Sequence, residues 1–153
     1  MLEINEIFIT TTDTLIGIGS KINNENLNLI YKLKKRSTDK KIVIVIGSID
    51  QLEKIEYIDK KTMKYINEFW PGPTTLIINN QAYRMPKQKA LLELAKEEGP
   101  FYLTSANLSG EKVCETIEEA KNIFPLINKV YNFGNGTNVA SAIIDVVTGK
   151  RLR

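Results

Sequence analysis

The sequence predicts an α/β fold built on one mixed sheet. Three observations carry that expectation. β-Branched apolar runs of strand length recur along the chain, and segments with helical spacing lie between several of them. At 153 residues and 42% hydrophobic content, there is material for one domain, residues 1–153, with a substantial core.

Glu6 to Thr10 (EIFIT) reads as the first strand, and the polar segment TTTDTLIGIGS punctuates it. Asn24 is the expected N-cap of a helix whose Leu27, Ile30 and Leu33 share one face, with a basic cluster at its end. Lys41 to Ile46 (KIVIVI) is a nearly continuous apolar run of strand length, which predicts a central strand buried on both faces. From Ser48 to Phe69 the pattern is helical with a break near Tyr57 to Asp59, until Trp70-Pro71-Gly72-Pro73 stops it. Thr74 to Ile78 is a strand. Lys87 to Glu98 is a helix with Leu91, Leu94 and Ala95 on one face, Gly99-Pro100 ends it, and Phe101 to Thr104 is a short strand. Thr116 and Glu119 have capping-box spacing and open a helix to about Phe124. Lys129 to Phe133 and Ala142 to Val147 are the last strands, with a turn at Gly134 to Asn138 between them. Late strands joined by short turns make the sheet mixed rather than purely parallel.

Composition excludes several classes of function. With no histidine, His-based triads and most zinc sites are ruled out, and the single cysteine, Cys114, forms no intrachain disulfide and reads as a buried thiol. No window approaches the roughly 18 to 20 apolar residues of a membrane span, and MLEINE lacks a signal-peptide pattern, so a cytoplasmic protein is expected. A net charge of +3 is too small to mark a nucleic-acid binder by itself. The charge is clustered, however: Lys32, Lys34, Lys35, Arg36, Lys40 and Lys41 face only Asp39 locally. That cluster is either a solvated helix end complementing the macrodipole or a field for phosphates.

Three loops carry more hydroxyls, amides and glycines than a connection requires, and each adjoins a strand, where open α/β sheets bind ligands. Thr10-Thr11-Thr12-Asp13-Thr14, followed by Gly17 and Gly19, is either a polar turn or a holder for a small zwitterion. It is not a Walker loop, because GIGSK has the wrong spacing and ending. Lys34, Lys35, Arg36 and Lys40 can converge on a polyphosphate if the helix ends there, and Arg84 is a separate cation beside a proline turn. Thr104-Ser105-Ala106-Asn107-Leu108-Ser109-Gly110 suits either a nest around an anion or a plain Asx/Ser turn. Asn138 and Ser141 form a smaller polar group before the last long strand.

The order TTDTLIGIGS, KKRSTDK, WPGPTTLI, YRMP, LTSANLSG and SAIIDVVTGKRLR, from Phe8 to Arg153, resembles that of the YrdC/TsaC family of threonylcarbamoyl-AMP synthases. The resemblance implies a single-domain YrdC-like fold: a twisted mixed parallel/antiparallel sheet flanked by helices around a basic concave cavity. It implies condensation of L-threonine, bicarbonate and ATP to threonylcarbamoyl-AMP and pyrophosphate, with Mg²⁺ on the phosphates. The product would pass to the transferase complex of the tRNA threonylcarbamoyladenosine pathway, with tRNA contact a further implication. By resemblance, Lys34 and Arg36 are catalytic, and with Lys40 they meet the ATP phosphates. Ser105 and Asn107 hold the nucleotide phosphates, Arg153 lies near the nucleotide, and Thr12, Arg84 and Ser141 bind threonine. The chemistry suits a chain without imidazole: a carbamate attacks the α-phosphate, so the protein positions anions and offsets charge without a covalent nucleophile.

The sequence departs from the family pattern at Thr11 and Ser37, where prolines are usual, and at Lys87-Gln88, which follow Met85-Pro86 where a histidine-proline pair is common. A family-typical N-terminal helix is not expected. A non-catalytic, RNA-binding module of the same fold is the alternative reading. The related domain of hydrogenase-maturation carbamoyltransferases and the synthases with an added C-terminal domain belong to longer proteins.

Overall fold

The computed structural model describes residues 4–153, so Met1 to Glu3 of the opening MLEINE lie outside the described residues. Strand β1 (Ile7–Thr10) is buried throughout and pairs antiparallel with β2 (Gly17–Lys21), Thr10 opposite Gly17. The sequence reading placed no strand in GIGSK, because glycine is depleted in strands. The strand forms because Ile16 and Ile18 enter the core while the opposite face needs space: a Cβ at Gly19 would overlap the Tyr102 carbonyl oxygen.

Helix α1 (Asn24–Lys34) is capped one residue earlier than expected, by Asn23, whose side chain accepts from Asn26 N at 2.8 Å. It ends at Lys35, which takes the left-handed conformation (φ 52°) and donates back to Lys32 O. Strand β3 (Val43–Val45) is shorter than the KIVIVI run but lies inside the sheet, between β5 (Gln81–Arg84) and β6 (Phe101–Ser105). Helices α2 (Ile49–Glu53) and α3 (Lys60–Phe69) bracket the expected break, and Asp59 caps α3 through Thr62 N at 2.7 Å.

Strand β4 (Thr74–Ile78) turns into β5 (Gln81–Arg84), a strand absent from the sequence reading, which had Arg84 beside a proline turn. Asn79 and Asn80, at φ 49° and 69°, supply the two left-handed residues that a tight hairpin needs. Helix α4 (Lys89–Glu98), β6 (Phe101–Ser105) and α5 (Ile117–Ile123) follow. Thr116 caps α5 through Glu119 N at 3.1 Å, and Glu119 accepts from Glu115 N rather than closing the box on Thr116.

The described residues form eight strands in the order β7-β1-β2-β6-β3-β5-β4-β8, with β7 (Lys129–Tyr131) and β8 (Ala142–Asp145) following α5. The sheet is mixed as expected, but a short turn between β7 and β8 is not the reason. Those strands occupy opposite edges, each parallel to its neighbour, and residues 132–141 run between them. The antiparallel pairs are β1–β2, β2–β6, β3–β6 and β4–β5.

Alternation along the strands divides the core. Ile7, Ile9 and Ile18 pack with Leu29 and Ile30 of α1 and Ala120 of α5, while Ile44, Leu76 and Tyr83 pack with Leu52 and Ile66 of α2 and α3. On the other face Phe8, Val45, Phe101 and Leu103 meet Leu91 and Ala95 of α4. One helix cannot cover an eight-stranded face. The part it leaves open holds the cavity.

Candidate active site

The cavity measures about 380 Å³. Its floor is apolar: Val43, Ile77, Ala82, Leu103 and Ile143 come from strands β3, β4, β5, β6 and β8. Its charged wall is unequal, with Arg36, Lys40, Lys41, Arg84 and Arg153 against Asp39. Residues Thr12, Thr14, Thr75, Thr104, Ser105 and Ser141 complete the lining.

The cations are positioned by the end of α1. Because Lys35 turns left-handed, Lys34 and Arg36 part company: Lys34 stays helical and enters the core at 1% exposure, whereas Arg36 lines the cavity. Arg36 Nη2 donates to Lys41 O at 2.8 Å, and its buried Nε has no hydrogen-bond partner among the described residues. That free donor is available to a ligand acceptor.

Lys34 and Asn107 do not line the cavity; they stand behind its wall. Lys34 Nζ donates to the backbone oxygen of Ser105, to Ser105 Oγ at 3.3 Å and to Asn107 Oδ1 at 3.0 Å. Ser105 Oγ donates to Asn107 Oδ1 at 2.7 Å, and Asn107 Nδ2 to Glu111 O at 2.7 Å. The LTSANLSG loop therefore spends its acceptors on the chain's own ammonium, while Ser105 keeps contact with the cavity. Burial brings the Lys34 pKa from 10.5 down to about 7, and the Arg36 charge pushes the same way.

At the other end, Arg84 Nη1 donates to both oxygens of Asp13 (2.8 and 3.0 Å) and to Gly72 O at 3.3 Å, and Nη2 donates to Thr14 Oγ1 at 3.2 Å. This is the only salt bridge among the described residues. Thr12 Oγ1 donates to Leu15 O at 2.6 Å and accepts from Thr14 N at 2.9 Å, which closes the turn on itself. Arg153 donates to Ser141 O (2.8 Å) and Ser141 Oγ (3.0 Å), and burial holds its guanidinium below the usual value.

The cavity thus brings together Thr12, Arg36, Lys40, Arg84, Ser105, Ser141 and Arg153; it adds Thr14 and Lys41, named in the sequence only as members of the first loop and of the basic cluster, and Thr75, which sequence reasoning did not single out. Thr75 belongs to WPGPTTLI, where strand propensity hid its hydroxyl. Asp13 was read as one carboxylate of a polar loop, and its bond to a residue 71 positions away leaves no local trace.

Residues 132–141 cross beside this site as a strap. Thr137 N donates to Asp13 O and Asn138 N to Thr14 O, both at 3.1 Å. Two of the departures from the family pattern anchor its start: Thr11 Oγ1 accepts from Phe133 N at 2.7 Å, and Gln88 Nε2 donates to Phe133 O at 3.2 Å. A Cβ at Gly136 would overlap the Thr12 carbonyl oxygen and come within 2.5 Å of that of Thr14. Both obstacles are backbone, so Gly136→Ala is expected to cost about 1 to 3 kcal/mol, readable as a lower urea midpoint.

The Sua5/YciO/YrdC family model, which carries the description "Telomere recombination", matches residues 1–153. An uncharacterized protein of Mycoplasma genitalium, MG259, is 34% identical over 114 residues, 74% of this chain and 23% of that protein. The threonylcarbamoyl-AMP synthase of Yersinia pestis strain Pestoides F is 30% identical over 170 residues, covering 97% of this chain and 88% of the relative. The crystal structure of P. abyssi Sua5 complexed with L-threonine superposes with a TM-score of 0.83 at 25% identity, over 92% of this chain and 47% of that one. This chain therefore spans about half of the archaeal Sua5 and about a quarter of the Mycoplasma protein. With the family model covering it from end to end, the chain belongs to the Sua5/YciO/YrdC family.

Proposed function

We propose that this chain is an L-threonylcarbamoyladenylate synthase, a nucleotidyltransferase contained in one YrdC-like domain over residues 1–153. The observation that carries the reading is the unequal cavity. Arg36, Lys40, Lys41 and Arg153 line it with no salt-bridge partner among the described residues, whereas Arg84 is paired with Asp13 and shares the lining with threonines and serines. The first set suits a triphosphate and the second a small zwitterion. Two relatives' names agree, since one is a threonylcarbamoyl-AMP synthase and another is described with L-threonine bound.

In this reading the threonine amine and bicarbonate form a carbamate with loss of water. A carbamate oxygen attacks the α-phosphorus of ATP, and pyrophosphate leaves. Arg36 and Lys40 bind the phosphates, and Arg153 lies beside the nucleotide. Ser105 presents a hydroxyl to the same side, held by Asn107 and Lys34. Thr12, Arg84 and Ser141 hold the amino acid. Bound Mg²⁺ would supply further charge neutralisation at the phosphates that Arg36 and Lys40 hold. Among the described residues Asp39 is the one carboxylate lining the cavity, and no three potential ligands gather into a metal cluster. No helix among the described residues is long and apolar enough to cross a membrane. We place the reaction in the cytoplasm, with the product passing to the transferase complex that modifies tRNA.

The test is pyrophosphate release from ATP and Mg²⁺ that requires both L-threonine and bicarbonate, with mass detection of threonylcarbamoyl-AMP. Arg36→Ala is expected to lose about 1.5 to 3 kcal/mol of nucleotide binding, the worth of a charged hydrogen bond, measured by titration calorimetry. No pyrophosphate under those conditions would sink the synthase reading. RNA binding that falls steeply with salt and ignores ATP and threonine would favour the non-catalytic alternative.

A further inference from the structure

Ser141 Oγ has two neighbours, Arg153 Nη2 at 3.0 Å and Thr75 Oγ1 at 2.9 Å. Their donor and acceptor roles follow from chemistry and burial. A guanidinium only donates, so Ser141 accepts from Arg153. Thr75 is 0% exposed, and Ser141 Oγ is its single hydrogen-bond partner among the described residues. If Ser141 donated to Thr75, the threonine proton would be buried with nothing to accept it, an arrangement folded chains avoid. Thr75 therefore donates. Ser141, at 8% exposure and lining the cavity, is left with both lone pairs engaged and its own proton free.

We propose that Thr75 is a positioning residue that makes Ser141 a directed donor for an oxygen of the bound amino acid. Two donors into one hydroxyl, one of them charged, polarise its O–H bond and strengthen the hydrogen bond it gives. The same two contacts fix where Oγ sits. Thr75 lies in β4 opposite Ile143 of β8, so the parallel register sets the Thr75–Ser141 diagonal, and Arg153 reaches Ser141 because the chain end pairs with β8 through Leu152 N to Ile143 O at 2.7 Å. Three segments of the chain thus converge on one proton. The ligand it recognises is an acceptor, a carboxylate or carbonyl oxygen, rather than an ammonium.

The inference rests on the amino-acid reading of this end of the cavity, and Thr75→Val tests it. Valine keeps the shape in a buried β-strand position and removes the donor; Ser141 then turns its proton toward Arg153-free space or loses its orientation. L-threonine affinity, measured by calorimetry in the presence of a non-hydrolysable ATP analogue, is expected to fall roughly 3- to 10-fold, the worth of one neutral hydrogen bond. Affinity for the analogue alone stays within about twofold, and Thr75→Ser, which restores the hydroxyl, recovers threonine binding to within about twofold of the parent chain. A merely structural role predicts another pattern: both affinities fall together with the melting temperature, or Thr75→Ser fails to rescue. Either result overturns the proposal, as does unchanged threonine affinity in Thr75→Val. If the parent chain binds the analogue but no L-threonine, the amino-acid reading falls and takes this inference with it.

Discussion

Asp13→Ala is expected to destabilise the fold by about 3 kcal/mol, because it strips the counter-charge from a guanidinium whose side chain is 4% exposed. Arg84 would keep Gly72 O and Thr14 Oγ1, neither of which carries charge, and Lys87 N would lose the Asp13 oxygen it meets at 3.0 Å. Urea unfolding followed by the fluorescence of Trp70, the only tryptophan and 7% exposed, reads the loss directly. Removing both partners in Asp13→Ala/Arg84→Met is expected to cost less than the sum of the single changes, since the double variant buries no orphan charge. Additive costs, or an Asp13→Ala cost under about 1 kcal/mol on the same scale, would show that the pair is not coupled.

The second large effect is a pH dependence set by Lys34. Its folded pKa is about 7 against an ordinary 10.5. Below pH 7 the folded and unfolded chains both carry the ammonium, and the cost of burying charge stands in full. Between about pH 7 and 10.5 the unfolded chain still holds the proton that the folded chain has released, so stability rises with pH by up to about 1.4 kcal/mol per unit. The three acceptors around Nζ work against this fall, so the measured rise tests how far they offset burial. Lys34→Met removes the titrating group, and the parent-minus-variant stability difference is expected to climb from pH 7 to 9.5. The window stops there because Tyr83, raised to about 12 by burial, pulls the other way once unfolded tyrosines ionise above pH 10. A difference that is flat across the window would mean Lys34 stays charged in the fold.

Both effects depend on residues that the sequence displays openly and on contacts it does not. The KKR triplet is visible as a basic cluster, yet nothing in three adjacent cations says that the first enters the core and the third faces a cavity. That division depends on Lys35 adopting φ 52°, a left-handed cap at a residue type that gives no signal for it. The loop LTSANLSG reads as an anion nest or a plain turn, and only the arrival of Lys34 Nζ decides what its acceptors do. Strand β2 was hidden by its glycines, which are there because β6 comes too close for side chains, Tyr102 O at Gly19 and Leu103 and Thr104 O at Gly17. Strand β5 was hidden by its proline neighbour, although Asn79-Asn80 marks a hairpin turn once two left-handed residues are looked for.

By itself the sequence determined the kinds of element and most of their places. Strands β1, β4 and β6, the break between α2 and α3, the helix before Gly99 and the Thr116 cap all rest on hydrophobic period, turn residues and caps, which act within a few residues along the chain. Through its motif order it also pointed to the family. Only the tertiary structure decided that β7 and β8 stand at opposite edges, that Asp13 neutralises Arg84, and that Thr75 and Arg153 both meet the hydroxyl of Ser141. Strand order and buried pairing are settled by which surfaces exclude water together and which polar groups find partners across long separations. Those constraints act on the assembled sheet, and no local window of the sequence contains them.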